Sequence, residues 1–496
     1  MKRDRGCRSG RAWNRVIWFL AAVIAAPALA QDKLPPVTTL PTVEISASEA
    51  KVGNSLPINL ATALKLAGAR PVDIQIAAQR TQIAAAEVQR AQASWLPNLY
   101  FGVQYDRHDG QIQDVSGRVF TTSRSSTFMG AGPVLSLELT DALYGPLVAR
   151  QRMQAARANE QTAANDSLLS VAESYFSVQQ ARGELTGASL TTNRMRELVR
   201  RAEKLAPGLI PPAEANRARA EMSRREQSLE SARERWQTAS AELTRLLRLD
   251  PLAVVEPAEP PQLMMTLFEP NRTPDELIPV ALTTRPELAA EQALVQATLT
   301  RLKQEKIRPL VPSVVFRPAS TSPSNFFAGG YFGGGINGDQ RDFGGRTDFD
   351  LQLVWELKNL GAGNRALVNQ RRAENEVALL ELLRTQDRVA SEVVRALAQA
   401  RSAATRVELA EAGLREAVEA ADRSLDGLGQ TRRAGELIVL VVRPQEAVAS
   451  VQSLAQAYGD YYGAVADSNR AQFRLYRALG QPAQCVMPVT LSDKVR

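Results

Sequence analysis

LSLEL at residues 135–139 and LQLVW at residues 351–355 are two copies of one pattern, and each precedes a very long run of helix-forming residues. Farther upstream, Pro71 returns as Pro286 at nearly the same offset, 215 residues (286 − 71). Between these landmarks both halves carry the same order of signals: a short helix, a proline-started helix, a strand, a loop, a second strand and two long helices. One structural unit has therefore been used twice, and this duplication decides the architecture.

The repeat predicts the division of the chain. A first unit covers residues 58–252 and a second covers 274–482, joined by a linker at 253–273 and followed by a C-terminal tail at 483–496. The first unit is expected to have strands at about 97–107 and 127–140 and helices at about 145–205 and 212–249. The second is expected to have strands at about 313–318 and 347–357 and helices at about 363–433 and 440–480.

The first thirty residues have the features of a secretory signal peptide. A basic stretch precedes the apolar run Val16–Ala26, and Ala28-Leu29-Ala30 forms a small-residue cleavage site. A Pro-rich linker, 31–57, follows. Removing residues 1–30 deletes six Lys or Arg and one Asp, which lowers the formal charge from +7 to about +2 (7 − 6 + 1). The basic balance therefore belongs mainly to the cleaved peptide, and we expect no nucleic-acid partner.

Residue usage argues against several kinds of chemistry. Cys485 is the one cysteine of the mature chain, and His108 is the one histidine, so zinc sites built from these residues are excluded. His108 is expected in an exposed loop, because a polar stretch ending at Gly110 surrounds it. The glycine clusters lack the Gly-Lys-Ser/Thr ending of a phosphate loop. We therefore expect no catalytic residue, no metal, no cofactor and no enzymatic activity.

The strand segments alternate between apolar and polar residues, most clearly at 348–356 and least clearly at Val314–Arg317. Leu351, Leu353 and Trp355 face one way, whereas Asp350 and Gln352 face the other. Such alternation fits either an ordinary half-buried sheet or a barrel wall with lipid on one side and water on the other. Four strands cannot close a barrel, and open edges are not tolerated in hydrocarbon. A barrel would therefore be shared between two, three or four copies of the chain.

Together these features resemble the TolC-like outer-membrane efflux factor family over residues 58–482. The most specific matches are the two hairpin turns, which begin at Pro207-Gly208-Leu209-Ile210 and Ala434-Gly435-Glu436-Leu437. The resemblance implies a mainly α fold in which long antiparallel helical hairpins form a periplasmic α-barrel. It also implies four strands per chain in a trimeric 12-stranded transmembrane β-barrel.

The resemblance further implies a location, partners and a function. The chain would lie in the outer membrane, contact its lipid and extend into the periplasm as a homotrimer. It would act as a passive export duct of a tripartite efflux pump or a type I secretion system. A periplasmic adaptor protein would open it at its periplasmic end, and an inner-membrane transporter would be an indirect partner. The alternative is a periplasmic coiled-coil adaptor, although an adaptor needs one hairpin and compact β domains.

The resemblance also implies functional residues at the two hairpin turns. Gly208, Leu209, Gly435 and Leu437 are expected to form the tips and adaptor contacts, although each glycine also serves simply to turn its hairpin. The family's usual gate carboxylates are replaced here by Val441 and Pro444. We therefore expect an apolar periplasmic gate. Its residues are Leu440, Val441 and Val442, followed by Arg443.

Overall fold

The structure is a computed structural model that describes residues 55–69, 71–205, 210–268, 272–317, 329–337, 339–347, 350–434 and 437–480. These residues belong to one compact unit, Gly53–Arg496. The predicted signal peptide, most of the predicted linker 31–57 and the predicted tail 483–496 lie outside the described residues.

Eight α-helices occur in the described part of the chain. They are α1 (Leu60–Ala69), α2 (Val72–Ala93), α3 (Leu139–Leu205), α4 (Pro212–Leu247), α5 (Pro274–Thr284), α6 (Pro286–Ile307), α7 (Ala362–Gly427) and α8 (Pro444–Ala478). The strands are β1 (Ser55–Ile58), β2 (Asn98–Gln113), β3 (Val119–Glu138), β4 (Val254–Pro257), β5 (Ser313–Arg317), β6 (Gly329–Ile336), β7 (Asp342–Thr347), β8 (Asp350–Val354), β9 (Thr431–Ala434) and β10 (Leu437–Leu440).

The helices repeat in length as well as in order. α2 and α6 each have 22 residues, α3 and α7 have 67 and 66, and α4 and α8 have 36 and 35. Proline starts several of them, because its missing N–H is not needed in the first turn. At 1.5 Å per residue the two longest helices extend about 100 Å. We call the end that carries strands β2, β3 and β5–β8 the sheet end, and the other the hairpin end.

The long helix α3 lies at the centre of the helical layer. Near the sheet end it packs between α2 and α6, and α6 packs in turn on α7. Near the hairpin end it packs between α4 and α8, and α8 packs on α7. The open edges are therefore α2 and α4 on one side and α7 on the other. Clusters of buried apolar side chains hold the layer together along its length.

The sheet has four strand positions, two of which are made of two strands each. Along one edge, β3 pairs with both β5 and β6, but the register differs by nine residues. The numbers of paired residues add up to 451 for β3 with β5 (135 + 316) and to 460 for β3 with β6 (124 + 336). The same shift of nine separates the β5–β8 pairing (313 + 354) from the β6–β7 pairing (329 + 347). β5 and β6 therefore occupy one strand position, and β7 and β8 occupy the next. In the register with β3, two residues would be enough to join Arg317 to Gly329, whereas the chain has eleven residues between them.

The strands extend farther than the sequence pattern predicted. β2 and β3 run through most of the segment between the two predicted strands 97–107 and 127–140, leaving the turn 114–118. Asp114 fixes this turn by accepting hydrogen bonds from the Ser116 and Arg118 N–H groups. β6 and β7 lie almost entirely between the two predicted strands 313–318 and 347–357, and the sequence pattern did not predict them because glycine hides their alternation. The ring of Phe343 covers Gly333, where an added Cβ would lie 2.3 Å from it.

The linker between the repeats is fastened to both of them. β4 pairs in parallel with β1. Farther along, the buried Asn469 of α8 accepts from the Met265 N–H and donates to the Leu263 carbonyl, both at 2.8 Å. Gln472 accepts from the Leu267 N–H at 3.2 Å. The linker is therefore a hydrogen-bonded strap across the helices.

Candidate functional site

One face of the sheet is apolar in the half nearer the helices and becomes polar toward the turn 114–118, where Arg107 and Asp109 lie on it. In the register, Val103 lies opposite Met129, which lies opposite Tyr331. Opposite residues of an antiparallel pair point to the same side. The same face carries further apolar residues: Leu99, Phe101, Tyr105, Leu135, Leu137, Val314, Phe316, Phe343, Leu351 and Leu353. Phe101 is 83% exposed and Leu351 65% exposed in the single chain. We call this surface the apolar face.

The opposite surface, the polar face, carries mainly polar side chains. Asp106 lies opposite Ser126, and Ser136 is linked through Val315 to Gln352. His108 also lies on this face, within β2. Its Nε2 atom is buried without a hydrogen-bond partner among the described residues. The expectation of an exposed loop histidine is therefore wrong, because the strand continues past the polar stretch that was taken for its end.

The second helical hairpin ends in a small β-hairpin. α7 stops at Gly427, α8 starts at Pro444, and β9 pairs with β10 between them. The predicted helices 363–433 and 440–480 are therefore wrong at these ends. Gly429 has a φ of 96°, which a helix does not accommodate.

The predicted tip residues fall partly outside the described part of the chain. Gly208, Leu209 and Gly435 lie outside it. Leu437 is the first residue of β10, and its backbone pairs with Ala434. The contacts that these residues were expected to make with an adaptor stay a prediction.

The four predicted gate residues occupy different environments. Leu440 is the last residue of β10 and is half-buried, and Val441 is 53% exposed, with its N–H donating to the Gln430 carbonyl at 2.9 Å. Val442 packs against the apolar cluster that contains Met195 and Leu198. Its side chain fills the space beside Gly427, where an added Cβ would lie 2.5 Å away.

Arg443, the fourth, caps α8 within its own chain. Its N–H donates to Glu446 Oε2 at 3.3 Å, and the Glu446 N–H donates to the Arg443 carbonyl at 3.0 Å. Of the three apolar residues, Val441 is thus the one whose side chain is most available to a gate.

A seam between α3 and α8 joins the first repeat to the second. Toward the sheet end it consists of three arginines of α8. Arg470 donates to Gln180 Oε1 at 2.9 Å, Arg474 pairs with Glu173 at 2.5 Å, and Arg477 pairs with Asp166 at 2.6 Å. Burial raises the pKa of the Asp166 carboxyl, while the nearby Arg285 opposes that rise.

Farther toward the hairpin end the seam consists of tyrosines on glycines. A Cβ added at Gly183 would lie 2.5 Å from the Tyr462 ring, and a Cβ added at Gly187 would lie 2.8 Å from Tyr458 Cβ. The two rings are nearly parallel, at 11°, with centroids 6.3 Å apart. Small residues at this spacing let the aromatic rings approach the α3 backbone closely.

A buried cluster of charged side chains lies where α5 meets α6. The Arg285 side chain is 2% exposed and donates to Glu287 Oε1 at 2.8 Å and to Glu392. Arg477 donates to the same two carboxylates. Sequence reasoning missed this cluster and the seam, because their partners are distant in the sequence. The proline after Arg285 and the Gly-x-x-x-Gly spacing of 183–187 were the available signals.

The described residues contain no group of His, Cys, Asp and Glu side chains placed to hold a metal ion. Among the described helices, none combines the length and the apolar character required to cross a bilayer.

The model of the family described as outer membrane efflux protein matches residues 63–247. Residues 63–247 belong to the outer membrane efflux protein family. The resemblance inferred from the sequence is therefore confirmed, as is the mainly α fold class with long helical hairpins and a small β part. This is a family of transport channels, not enzymes. No curated protein sequence matches the chain.

Solved structures of outer-membrane efflux proteins share the fold. A membrane protein from Pseudomonas aeruginosa superposes with a TM-score of 0.67 at 18% identity, covering 85% of this chain and 93% of its own. The open state of the MtrE outer membrane channel of Neisseria gonorrhoeae gives 0.64 at 17% identity, covering 86% and 89%. The CmeC outer membrane channel of Campylobacter jejuni gives 0.64 at 15%, covering 85% of both chains. At these identities the likeness shows the fold.

Proposed function

We propose that three copies of this chain form an export duct in the outer membrane, which passes cargo delivered by an inner-membrane transporter. The observation that carries this proposal is the sheet, with one face that is apolar in the half nearer the helices, one polar face and two open edges. A surface of this kind fits a barrel wall with lipid outside and water inside.

The edges of the sheet support closure by further copies. The four strand positions run antiparallel to their neighbours, so β2 and the β7–β8 position also run in opposite directions. A copy placed beside the first can therefore pair β8 with the next β2 in antiparallel register. Three copies give 12 strands, an even number within the known range of such barrels; the number three comes from the family resemblance.

The helical layer supports the same arrangement. α6 has two neighbours, its own long helix α7 and the long helix α3 of the other repeat, whereas α2 has α3 alone. Repeat symmetry assigns the missing neighbour of α2 to an α7 of another copy. Both open edges carry exposed apolar side chains near the sheet end: Val72, Ile76 and Ile83 on α2, and Leu380, Leu383 and Val394 on α7.

In this proposal the hairpin end points into the periplasm and meets the adaptor. Gly208, Leu209, Gly435 and Leu437 lie at the two tips, and Leu440, Val441, Val442 and Arg443 surround the closed end. The exposed side chain of Val441 supports closure by dewetting between apolar groups. Efflux pumps and type I secretion systems both use ducts of this kind, and the chain itself supplies a passive conduit.

The test is to express the full chain, separate the membranes and measure the mass of the detergent-extracted protein by native mass spectrometry. We expect a complex of three chains, about three times the mass of the mature protein, in the outer-membrane fraction. A soluble periplasmic monomer would contradict the proposal. A coiled-coil adaptor would sediment with the inner membrane or remain soluble.

A further inference from the structure

We propose that the outer surface just below the apolar face binds anionic phospholipid head groups of the periplasm-facing leaflet. This surface, the basic collar, comprises Lys303, Lys306 and Lys358 with the apolar residues Trp355, Leu357 and Leu360. The inference rests on the proposed function, because it requires the sheet to lie in a membrane.

The direction in which the lysines point follows from a chain of ion pairs. Glu305 of α6 lies 3.3 Å from Arg308, which pairs with Glu138 at 2.7 Å. Glu138 lies on the polar face of the sheet, in alternation with Leu137. Lys303 lies two residues from Glu305, about 200° around the helix, and hence on the opposite side. α6 therefore carries Lys303 on the same side as the apolar face.

The height of the lysines also fits a head-group layer. Lys306 is the second-last residue of α6 and precedes the start of β5 by seven residues. Lys303 lies one helical turn below it, on the same surface. Both side chains are exposed, and neither has an ion pair among the residues that the structure describes. Lys358 has a distant contact with Glu356, at 3.8 Å.

The turn beside the lysines carries an exposed and strained leucine. Leu360 is completely exposed and has a φ of 56°, next to Asn359 at 52°. Left-handed backbone is unfavourable for leucine, because its Cβ comes too close to the following carbonyl oxygen. Trp355 and Leu357, 58% and 65% exposed, lie on either side of Glu356, just after β8. An apolar side chain held outward in this way fits the edge of a bilayer, where it is covered by lipid.

Charge and apolar surface together identify the partner. Tryptophan is enriched at the interface between lipid and water, and lysines next to it attract anionic head groups. The collar continues the apolar face directly, so lipid that covers the face also reaches the lysines. Arginine far outnumbers lysine in this chain, yet three of the five lysines in the described residues lie here.

The test uses the full protein in vesicles containing brominated phosphatidylglycerol or brominated phosphatidylcholine. Both lipids quench nearby tryptophans, here Trp95 and Trp355. Lys303→Gln, Lys306→Gln and Lys358→Gln are combined in one variant. The control combines Lys65→Gln and Lys204→Gln, two exposed lysines far from the collar. We expect stronger quenching by phosphatidylglycerol in the native protein and the control. This preference should fall by roughly fivefold or more in the collar variant, and it should weaken with salt.

A second variant, Leu360→Gly, tests the apolar part. It should raise the melting temperature in detergent, because glycine accepts a positive φ, and it should weaken quenching by both lipids. If the turn has only a structural role, the melting temperature should rise while the quenching by the two lipids stays the same. Equal quenching by both lipids in the native protein, or an unchanged preference in the collar variant, overturns the inference and leaves the duct intact. If the native chain fails to insert into vesicles at all, the proposed function itself fails.

Discussion

The two repeats have nearly the same helices but different ends. Their long helices match to within one residue, at 67 and 66 and at 36 and 35. In the first repeat two unbroken strands meet in a five-residue turn. In the second, β5 and β6 share one strand position, β7 and β8 share the next, and the helical hairpin closes through β9 and β10.

The difference shows where packing constrains the chain. A helix buried along one stripe cannot gain or lose residues without rotating its apolar face away from its neighbours. A loop or a strand end at the rim has no such restriction. The helical lengths are therefore kept in both repeats, while the ends, where an exported substance or a partner is met, differ.

The largest expected effect concerns the buried charges around Arg285 in the second repeat. Arg285→Met removes the cation between Glu287 and Glu392 and leaves their carboxylates partly unpaired. We expect a loss of about 3 kcal/mol in stability, measured as a lower melting temperature by circular dichroism. Arg245→Met, which breaks an exposed pair in the first repeat, should change stability by less than about 0.5 kcal/mol. Equal effects would mean that Arg285 is replaceable.

Much of the helical fold could be predicted from the sequence. The Ala-rich stripes indicate the packed faces of the helices. Prolines indicate helix starts, so the starts of α4 and α6 could be predicted. The end of α7 could not be predicted, because no proline follows its last buried residue, Gly427, before Pro444. Gly429 was the one local signal for that end.

The next prediction asks whether the two repeats contribute equally to the wall. Leu353 of the second repeat and Val103 of the first both lie on the apolar face, and they are 57% and 65% exposed in the single chain. Aspartate at either position should cost on the order of 2 kcal/mol, because it places a charge in lipid. The measurement is the yield of oligomer in the outer membrane.

Matched controls use the polar face. Gln352→Asp in the second repeat and Ser136→Asp in the first should leave the yield nearly unchanged, since both side chains would meet water. If Leu353→Asp and Gln352→Asp are tolerated alike, the assignment of the two faces is wrong. If only one repeat is sensitive, the other does not face lipid.

The seam between the repeats gives a smaller effect with a predicted sign. Gly183→Ala drives a methyl group against the Tyr462 ring and should destabilise the protein by roughly 1–3 kcal/mol. Gly459→Ala on α8 meets no atom within 4 Å and should stabilise it by roughly 0.5–1 kcal/mol, because alanine favours helix. Thermal melting of the two variants checks the opposite signs. Destabilisation by both would mean that α8 has a neighbour at Gly459 in the assembly.

The candidate site could be predicted only in outline. The alternation at 351–355 assigns the two faces correctly, because a strand has a fixed period of two. The seam and the buried charges depend on which helices become neighbours, and Arg470 with Gln180 is 290 residues apart in the chain. Val442 also differs from the sequence expectation in its surroundings, since packing beside Gly427 is visible only once the β-hairpin is placed.

The hairpin ends can be compared by conductance. Val441→Asp should raise single-channel conductance in planar bilayers by roughly twofold or more, because a charge wets an apolar constriction. It should also gain block by divalent cations, which the native channel should bind weakly. Arg433→Ala, on the other strand of the turn, should change conductance less. Tight cation block of the native protein would show that carboxylates line the closed end, and the apolar gate would be abandoned.

The smallest effect concerns Glu291 of α6, where the first repeat has Ile76 at the same distance from its proline. Burial, and then the charge of Glu381, raise the pKa of the Glu291 carboxyl, while Arg384 and Arg388 oppose the rise. The folded chain therefore holds this proton more tightly than the unfolded chain does. The stability that this bound proton contributes is present at low pH. It is lost as the pH rises from the pKa of the unfolded chain, 4.5, through the raised pKa of the folded chain. At neutral pH the charged carboxylate is consequently a small cost.

Glu291→Gln removes that cost. The variant should be more stable than the native chain at pH 7 by roughly 0.5 kcal/mol or less, because solvent screens a partly exposed group. The two proteins should converge near pH 4, where both side chains are neutral. The melting temperatures of the variant and the native chain are compared across this pH range. Glu416→Gln, at an exposed position in the half of α7 nearer the hairpin end, is the control. A variant that is less stable at pH 7 would show that Glu291 is held by Arg384 and Arg388 more strongly than it is penalised by burial, and the sign of its pKa shift would have to be reversed.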